Sequence, residues 1–209
     1  MKRIYTLLLA MLCFSLSFGQ KCVFYLHGAI VEGNCEHPSN GAYGEFKYRD
    51  IAAAFRSEKF TVFSECRPAN TDGKVYAHKV ATQVDSLLKK GVKPSDITVV
   101  GASKGAMIAM YVATFLKNSK VNFVFMSNCN DNNFTSQPEI AFYGNVLSIY
   151  EKSDDVAGSC IAYKAKSTAV MMPHYKEIAL NTGLKHGYIY GPLPEWMKPV
   201  IKWANGSYE

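Results

Sequence analysis

Several features are missing from this chain of 209 residues, and each absence narrows what it can be. The 23 lysines and arginines are scattered rather than gathered into a stripe, so the formal charge of +6 leaves no footprint for nucleic acid. There is no internal repeat and no low-complexity linker, which excludes a solenoid or an array of tethered modules. His37, His78 and His174 stand at no ligand spacing with another His, Cys, Asp or Glu, so they read as structural and no metal is expected. Disorder is excluded as well, because 48% of the residues are hydrophobic and only 19% are charged.

Long apolar runs are also lacking, apart from an uncharged, leucine-rich stretch between Ile4 and Phe18 that is short for a membrane helix. Lys2-Arg3 precede it and Ser17-Phe-Gly19 offers small residues at the positions a signal peptidase reads. Residues 1–19 therefore read as a secretory signal cut after Gly19. Leu12 precedes Cys13 where a lipoprotein signal needs a small residue, which argues against a lipid anchor. The mature chain, 20–209, is long enough for one core, so one soluble domain is expected, secreted or periplasmic, with no membrane partner after cleavage. Its oligomeric state is not legible.

What the chain does have is organised around Ile97-Thr-Val-Val-Gly-Ala-Ser-Lys-Gly-Ala106. A β-branched run ends in glycine, presents a serine and turns at once into an apolar helical segment from Lys104 to about Lys117. A serine on so sharp a turn needs strained backbone angles, and strand and helix pass close together, which accounts for Gly101 and Gly105. The sequence reads as a nucleophile elbow whose helix aims its first amides at any oxyanion formed there. The other reading is a glycine-rich turn with an idle serine.

Around it, strands are expected at Lys21–Leu26, Phe60–Phe63, Val121–Met126, Val146–Tyr150 and Tyr175–Leu180. Helices are expected at Tyr43–Ser57, Lys74–Lys90 and Pro194–Ala204. Asn70-Thr-Asp72 offers caps and Gly91 a stop for the second of these. Strands alternating with helices predict an α/β fold with a doubly wound, mostly parallel sheet of about six strands.

Three further features follow strand ends. His27-Gly28-Ala29 follows the first strand, Glu151-Lys-Ser-Asp154-Asp155 the strand ending at Tyr150, and Thr182-Gly-Leu-Lys-His186-Gly187 the last strand. Together with the elbow, in the order serine, acid, histidine, they resemble the α/β-hydrolase superfamily in a minimal, cap-less form. Within it the chain looks most like small serine carboxylesterases and dienelactone-hydrolase-like proteins. The resemblance covers the whole mature chain. It implies Ser103 as nucleophile, His186 as base and Asp154 as the orienting acid, with Asp155 and Asp131 as alternatives, and the amides of Ala29 and Lys104 as oxyanion hole. Glu151 departs from the family pattern, which often has glycine there.

The activity so implied is hydrolysis of small-molecule esters through an acyl-enzyme, with no cofactor. An amidase or thioesterase of the same fold, or a non-catalytic binding protein on the same scaffold, are the alternatives. Only about 20 residues separate Met126 from Val146, too few for a cap. An open cleft is expected, its rim polar with Glu32-Gly-Asn34, Arg67, Asn128–Asn133 and Ser153–Asp155, and its preference for short acyl groups. Glu32 and Arg67 read as surface charges or as contacts for a polar substrate. Of six cysteines, five remain after cleavage. Cys35 and Cys66 follow neighbouring strands on the side of the elbow, as do Cys129 and Cys160. Bridges Cys35–Cys66 and Cys129–Cys160 are therefore expected, leaving Cys22 free. Asn133-Phe-Thr135 and Asn205-Gly-Ser207 match glycosylation sequons.

Overall fold

The computed structural model describes residues 19–209 except 170. The expected signal segment, apart from Gly19, therefore lies outside the described residues. In chain order the elements are β1 (Cys22–Leu26), a 3₁₀ turn at Ala29–Val31, β2 (Ser39–Asn40), β3 (Gly44–Glu45), α1 (Tyr48–Ser57), β4 (Thr61–Phe63) and α2 (Gly73–Lys89). They continue with β5 (Ile97–Ala102), α3 (Lys104–Leu116), β6 (Asn122–Met126), α4 (Asp131–Ser136), β7 (Asn145–Glu151), α5 (Ile161–Ala165), β8 (Tyr175–Leu180), a 3₁₀ stretch at Lys185–Tyr190 and α6 (Pro194–Ala204).

Six strands form one sheet in the order β4-β1-β5-β6-β7-β8, and every pairing is parallel. The strands read as near-continuous apolar runs because both faces are covered, and alternate side chains go to opposite cores. Phe24, Leu26, Ile97, Val99, Phe123, Phe125 and Val146 pack beneath α2 and α3. Val23, Tyr25, Val100, Ala102, Val124, Met126, Leu147 and Ile149 pack beneath α1 and α6, where Ile51, Phe55, Trp196 and Trp203 close the other core. α3 is apolar around most of its circumference, since it lies over the centre of the sheet. α2 is capped as its sequence suggests, with Asp72 Oδ1 accepting from the N–H groups of Lys74 and Val75 at 2.9 Å.

The sheet is the one expected from the sequence, with one shortened helix. α1 begins at Tyr48 rather than Tyr43. Gly44 has φ +77°, and residues 39–45 form the antiparallel β2–β3 ribbon instead. Phe46 N–H then donates to Pro38 O at 2.8 Å and Lys47 N–H to Tyr190 O at 2.7 Å. These bonds fold the segment over the carboxyl end of the sheet, and they outweigh its helical spacing of apolar residues. Both expected disulfides are present, Cys35–Cys66 and Cys129–Cys160, and Cys22 is free and buried.

The tightest contact joins α3 to β1 and β5. A Cβ on Gly105 would stand 1.9 Å from the carbonyl oxygen of Leu26, and one on Gly101 would stand 2.3 Å from that of Gly105. Both neighbours are backbone and cannot swing aside. Gly105→Ala is therefore expected to lower unfolding stability by about 3 kcal/mol or more. Urea unfolding of the two proteins measures this, and an unchanged midpoint would mean that helix and strand can separate without loss.

Candidate active site

Ser103 sits between β5 and α3 with φ 53° and ψ −123°, a conformation L-residues avoid. It is over-determined from both sides. Its N–H donates to Met126 O at 2.8 Å, extending the β5–β6 ladder, and its carbonyl accepts from Ala106 N–H at 2.8 Å to start the helix. The hydroxyl is thereby lifted above the carboxyl edge of the sheet, where it meets His186 Nε2 at 3.1 Å.

His186 lies in the 3₁₀ stretch after β8, and its Nδ1 donates to Asp154 Oδ2 at 2.9 Å. The Asp154 side chain is fully buried. Burial works against its charge, yet hydrogen bonds from His186, Val156 N–H and Ser127 hold its carboxyl below the usual carboxylate range. Ser127 Oγ donates at 2.8 Å to the same oxygen that accepts from His186. It does so from a backbone at φ 52° just beyond β6. The other candidate acids stand apart: Asp155 is exposed and faces Lys185 at 3.9 Å, and Asp131 is exposed at the start of α4.

Glu151, where the sequence departs from the resembling pattern, turns out to join two of the site's loops. It is 1% exposed and accepts from Ser153 N–H and Oγ and from Thr182 N–H and Oγ. Burial opposes its charge, but these four bonds hold its carboxyl below the usual range. It thus ties the loop of Asp154 to the loop of His186, a role that sequence reading missed. The only sequence signals were a carboxylate at the end of a buried strand and hydroxyl residues after both strands.

Ala29 opens the 3₁₀ turn after β1, and Lys104 is the first residue of α3. Among the described residues neither of their N–H groups has an acceptor, so both are available to a ligand. Gly28, Ala29, Ser103 and His186 line one cavity of about 370 Å³ whose other walls are Ile30, Asn40, Phe46, Ile189 and Tyr190. The polar rim expected from the sequence is therefore corrected. The β2–β3 segment brings Phe46 over the site and Tyr43 to 6.1 Å from the His186 ring, so the walls are largely apolar. Glu32 and Arg67 are not surface charges either, with side chains 6% and 1% exposed.

His27, adjoining Ala29's segment, is fully buried. Its Nδ1–H donates to Gly28 O at 2.8 Å and its Nε2 accepts from Arg67 N–H at 3.1 Å, which fixes the neutral tautomer. Burial, helped by the Arg67 charge, pushes its pKa down from 6.5 to about 4. A larger groove of about 440 Å³ runs between β8 and α6 past Ile178, Trp203, Lys176, Lys198 and Lys202, and it shares no wall with the Ser103 cavity. No helix among the described residues is long and apolar enough to cross a membrane.

No protein-family model matches this sequence, and no curated protein matches it. Solved structures do resemble it. SOBER1 of Arabidopsis thaliana aligns over 91% of this chain and 100% of its own, at 14% identity and a TM-score of 0.56. A YdeN-like hydrolase of Pectobacterium atrosepticum aligns over 91% and 94%, at 12% identity and a TM-score of 0.54. An α/β hydrolase enzyme from a sediment metagenome of the Mar Chica lagoon, Morocco, aligns over 90% and 91%, at 13% identity and a TM-score of 0.57. At such identities the likeness is one of fold, and the fold is that of the α/β hydrolases.

The His27 environment makes stability depend on pH with a definite sign. Because its folded pKa lies near 4 and its ordinary value is 6.5, the unfolded chain binds the extra proton between those limits. Stability is then expected to be full above about pH 6.5 and to fall as pH drops toward 4. Urea unfolding of the wild type and His27→Asn across this range checks it. The variant can keep the donor to Gly28 O but cannot titrate, so its curve should be flatter, and parallel curves would assign the acid sensitivity elsewhere.

Proposed function

We propose that the protein is a secreted serine hydrolase of small esters, with Ser103 as nucleophile, His186 as general base and acid, and Asp154 as the orienting carboxylate. The single observation that carries this reading is the hydrogen-bond chain from Ser103 Oγ through His186 to Asp154, at 3.1 Å and 2.9 Å, beside a cavity that Ala29, with its free N–H, also lines. A scaffold protein has no physical need for a strained serine aligned on an imidazole that is itself aligned on a buried carboxylate.

The reaction follows from that alignment. His186 Nε2 takes the proton of Ser103 as Oγ attacks the ester carbonyl, and the carbonyl π electrons move to oxygen. The N–H groups of Ala29 and Lys104 donate to the oxyanion. When the tetrahedral adduct collapses, the C–O bond to the alcohol breaks and His186 returns the proton to that oxygen. Water, deprotonated by His186, then attacks the acyl carbon; the bond to Ser103 Oγ breaks, His186 returns the proton to that oxygen, and the carboxylic acid leaves. Asp154 keeps Nδ1 protonated throughout and stabilises the imidazolium. Ser127 holds Asp154 in register through its hydrogen bond.

The cavity of about 370 Å³ is at the small end for a ligand site, and Phe46 and Tyr190 form part of its wall. Between β6 and β7 there is only α4, so no cap extends it from that connection. Short acyl groups fit such a pocket, whereas a long chain would leave most of its methylenes in water and forgo roughly 0.8 kcal/mol for each. The two disulfides support export, because such bridges persist in oxidising compartments.

Turnover of p-nitrophenyl esters tests the reading, with kcat/KM expected to peak between acetate and butyrate. Ser103→Ala should abolish labelling by a fluorophosphonate and lower kcat by on the order of 10³-fold or more with the fold intact. Asn substitution at Asp154 should cost orders of magnitude, while the same change at Asp155 or Asp131 should be mild. Undiminished hydrolysis by Ser103→Ala would end the proposal, and a maximum at eight or more acyl carbons would overturn the short-acyl assignment.

A further inference from the structure

Behind the two free amides lies a set of buried charges that the reaction itself does not use. Arg67, on the loop after β4, has a side chain 1% exposed. Its Nη2 donates to His27 O and reaches Gly28 O at 3.5 Å, while its Nε donates to Glu32 Oε1 at 3.1 Å. The second oxygen of Glu32 accepts from Lys104 Nζ at 2.8 Å. One buried carboxylate therefore links the loop that carries Ala29 to the helix start that carries the Lys104 amide. The Cys35–Cys66 bridge joins the loops of Glu32 and Arg67 a second time.

The geometry of the peptide group gives this arrangement its consequence. Gly28 C=O and Ala29 N–H belong to one planar trans unit and point in opposite directions. Gly28 O accepts from His27 Nδ1–H at 2.8 Å and, within the turn, from Val31 N–H at 3.3 Å, and Arg67 Nη2 reaches it from the network side at 3.5 Å. The Ala29 N–H must then point the other way, and Ala29 lines the cavity. Burying an ion pair seldom adds net stability, so the pairing is better understood as fixing geometry. Lys104, moreover, places a cation at a helix N-terminus, where the dipole disfavours it, and Glu32 offsets that. With His27 neutral, two cations and one carboxylate leave a net positive charge behind the site of a developing oxyanion.

We propose that Arg67 and Glu32 are positioning residues of the oxyanion hole, acting through the Gly28–Ala29 peptide and through Lys104. The inference rests on the serine-hydrolase reading. It differs from a purely structural role in what it predicts for the transition state. Substrate in its ground state should bind almost as before, and tetrahedral anions should bind worse.

The test compares wild type with Arg67→Met, Arg67→Lys, Glu32→Gln and Lys104→Met in the full chain. Measured are kcat and KM on p-nitrophenyl acetate, the inhibition constant of ethylboronic acid, which becomes a tetrahedral anion on a serine oxygen, and the melting temperature. Arg67→Met and Glu32→Gln should lower kcat about 10–100-fold with KM within about threefold, and should raise the boronate constant by a similar factor. Arg67→Lys keeps the charge and loses the planar fork, so it should stay at least about tenfold impaired. Lys104→Met, at a side chain 24% exposed, should fold and lose about 3–10-fold in kcat. If the buried variants fail to fold, Lys104→Met decides. Unchanged kcat and boronate binding in it, or a loss of kcat with no change in boronate affinity in any folded variant, would overturn the inference. Absence of turnover and labelling in the wild type would instead bring down the hydrolase reading, and the inference with it.

Discussion

The first turn of α3 lies against the end of β1 so closely that only hydrogen fits at Gly105, 1.9 Å separating a hypothetical Cβ from Leu26 O. Everything at the carboxyl edge of the sheet depends on that approach. It sets the sharp turn at Ser103 and brings the Lys104 amide alongside the loop that follows β1. It also stacks α3 over the middle of the sheet, where an apolar helix can be buried along most of its surface. A side chain at Gly105 would part helix from strand and carry the Lys104 amide away from Ala29.

The loops above the sheet are held in pairs rather than one by one. Cys35–Cys66 and the Glu32–Arg67 pair join the loops after β1 and β4. Cys129–Cys160 and the Ser127–Asp154 bond join those after β6 and β7, and Glu151 joins those after β7 and β8. A covalent bond and a buried polar bond thus recur side by side. The disulfide limits how far two loops can separate, and the carboxylate with its directional acceptors fixes their orientation. The loops gain rigidity in this way from within.

Charge placement follows the same logic. Asp154 and Glu151 keep their charge despite burial because each accepts several directed hydrogen bonds. His27, buried beside an arginine with both ring nitrogens engaged, stays neutral instead. Buried titratable side chains are thus divided by their hydrogen-bond partners into fixed charges and a fixed dipole.

The local sequence by itself determined where the six strands of the sheet and the four longer helices lie along the chain, the elbow, and the residue types at the strand ends. Periodicity, glycine spacing and β-branched runs are local properties with local physical causes. Hence the six-stranded parallel sheet was legible, as were the two cysteine pairs and the residues Ser103, Asp154 and His186 that the structure brings into one hydrogen-bond chain. What only the tertiary structure decided depends on contacts between segments far apart in the chain. Residues 43–47 had the spacing of a helix, yet bonds to Pro38 and Tyr190 drew them over the site and made its walls apolar. Glu32 and Arg67 looked like solvated charges because their partners lie 35 to 72 residues away, and half of the bonds that bury Glu151 come from Thr182, 31 residues on. A carboxylate's burial cannot be read from its neighbours in sequence. It is set by which loops the fold brings together, and by whether they carry the donors that make burial tolerable.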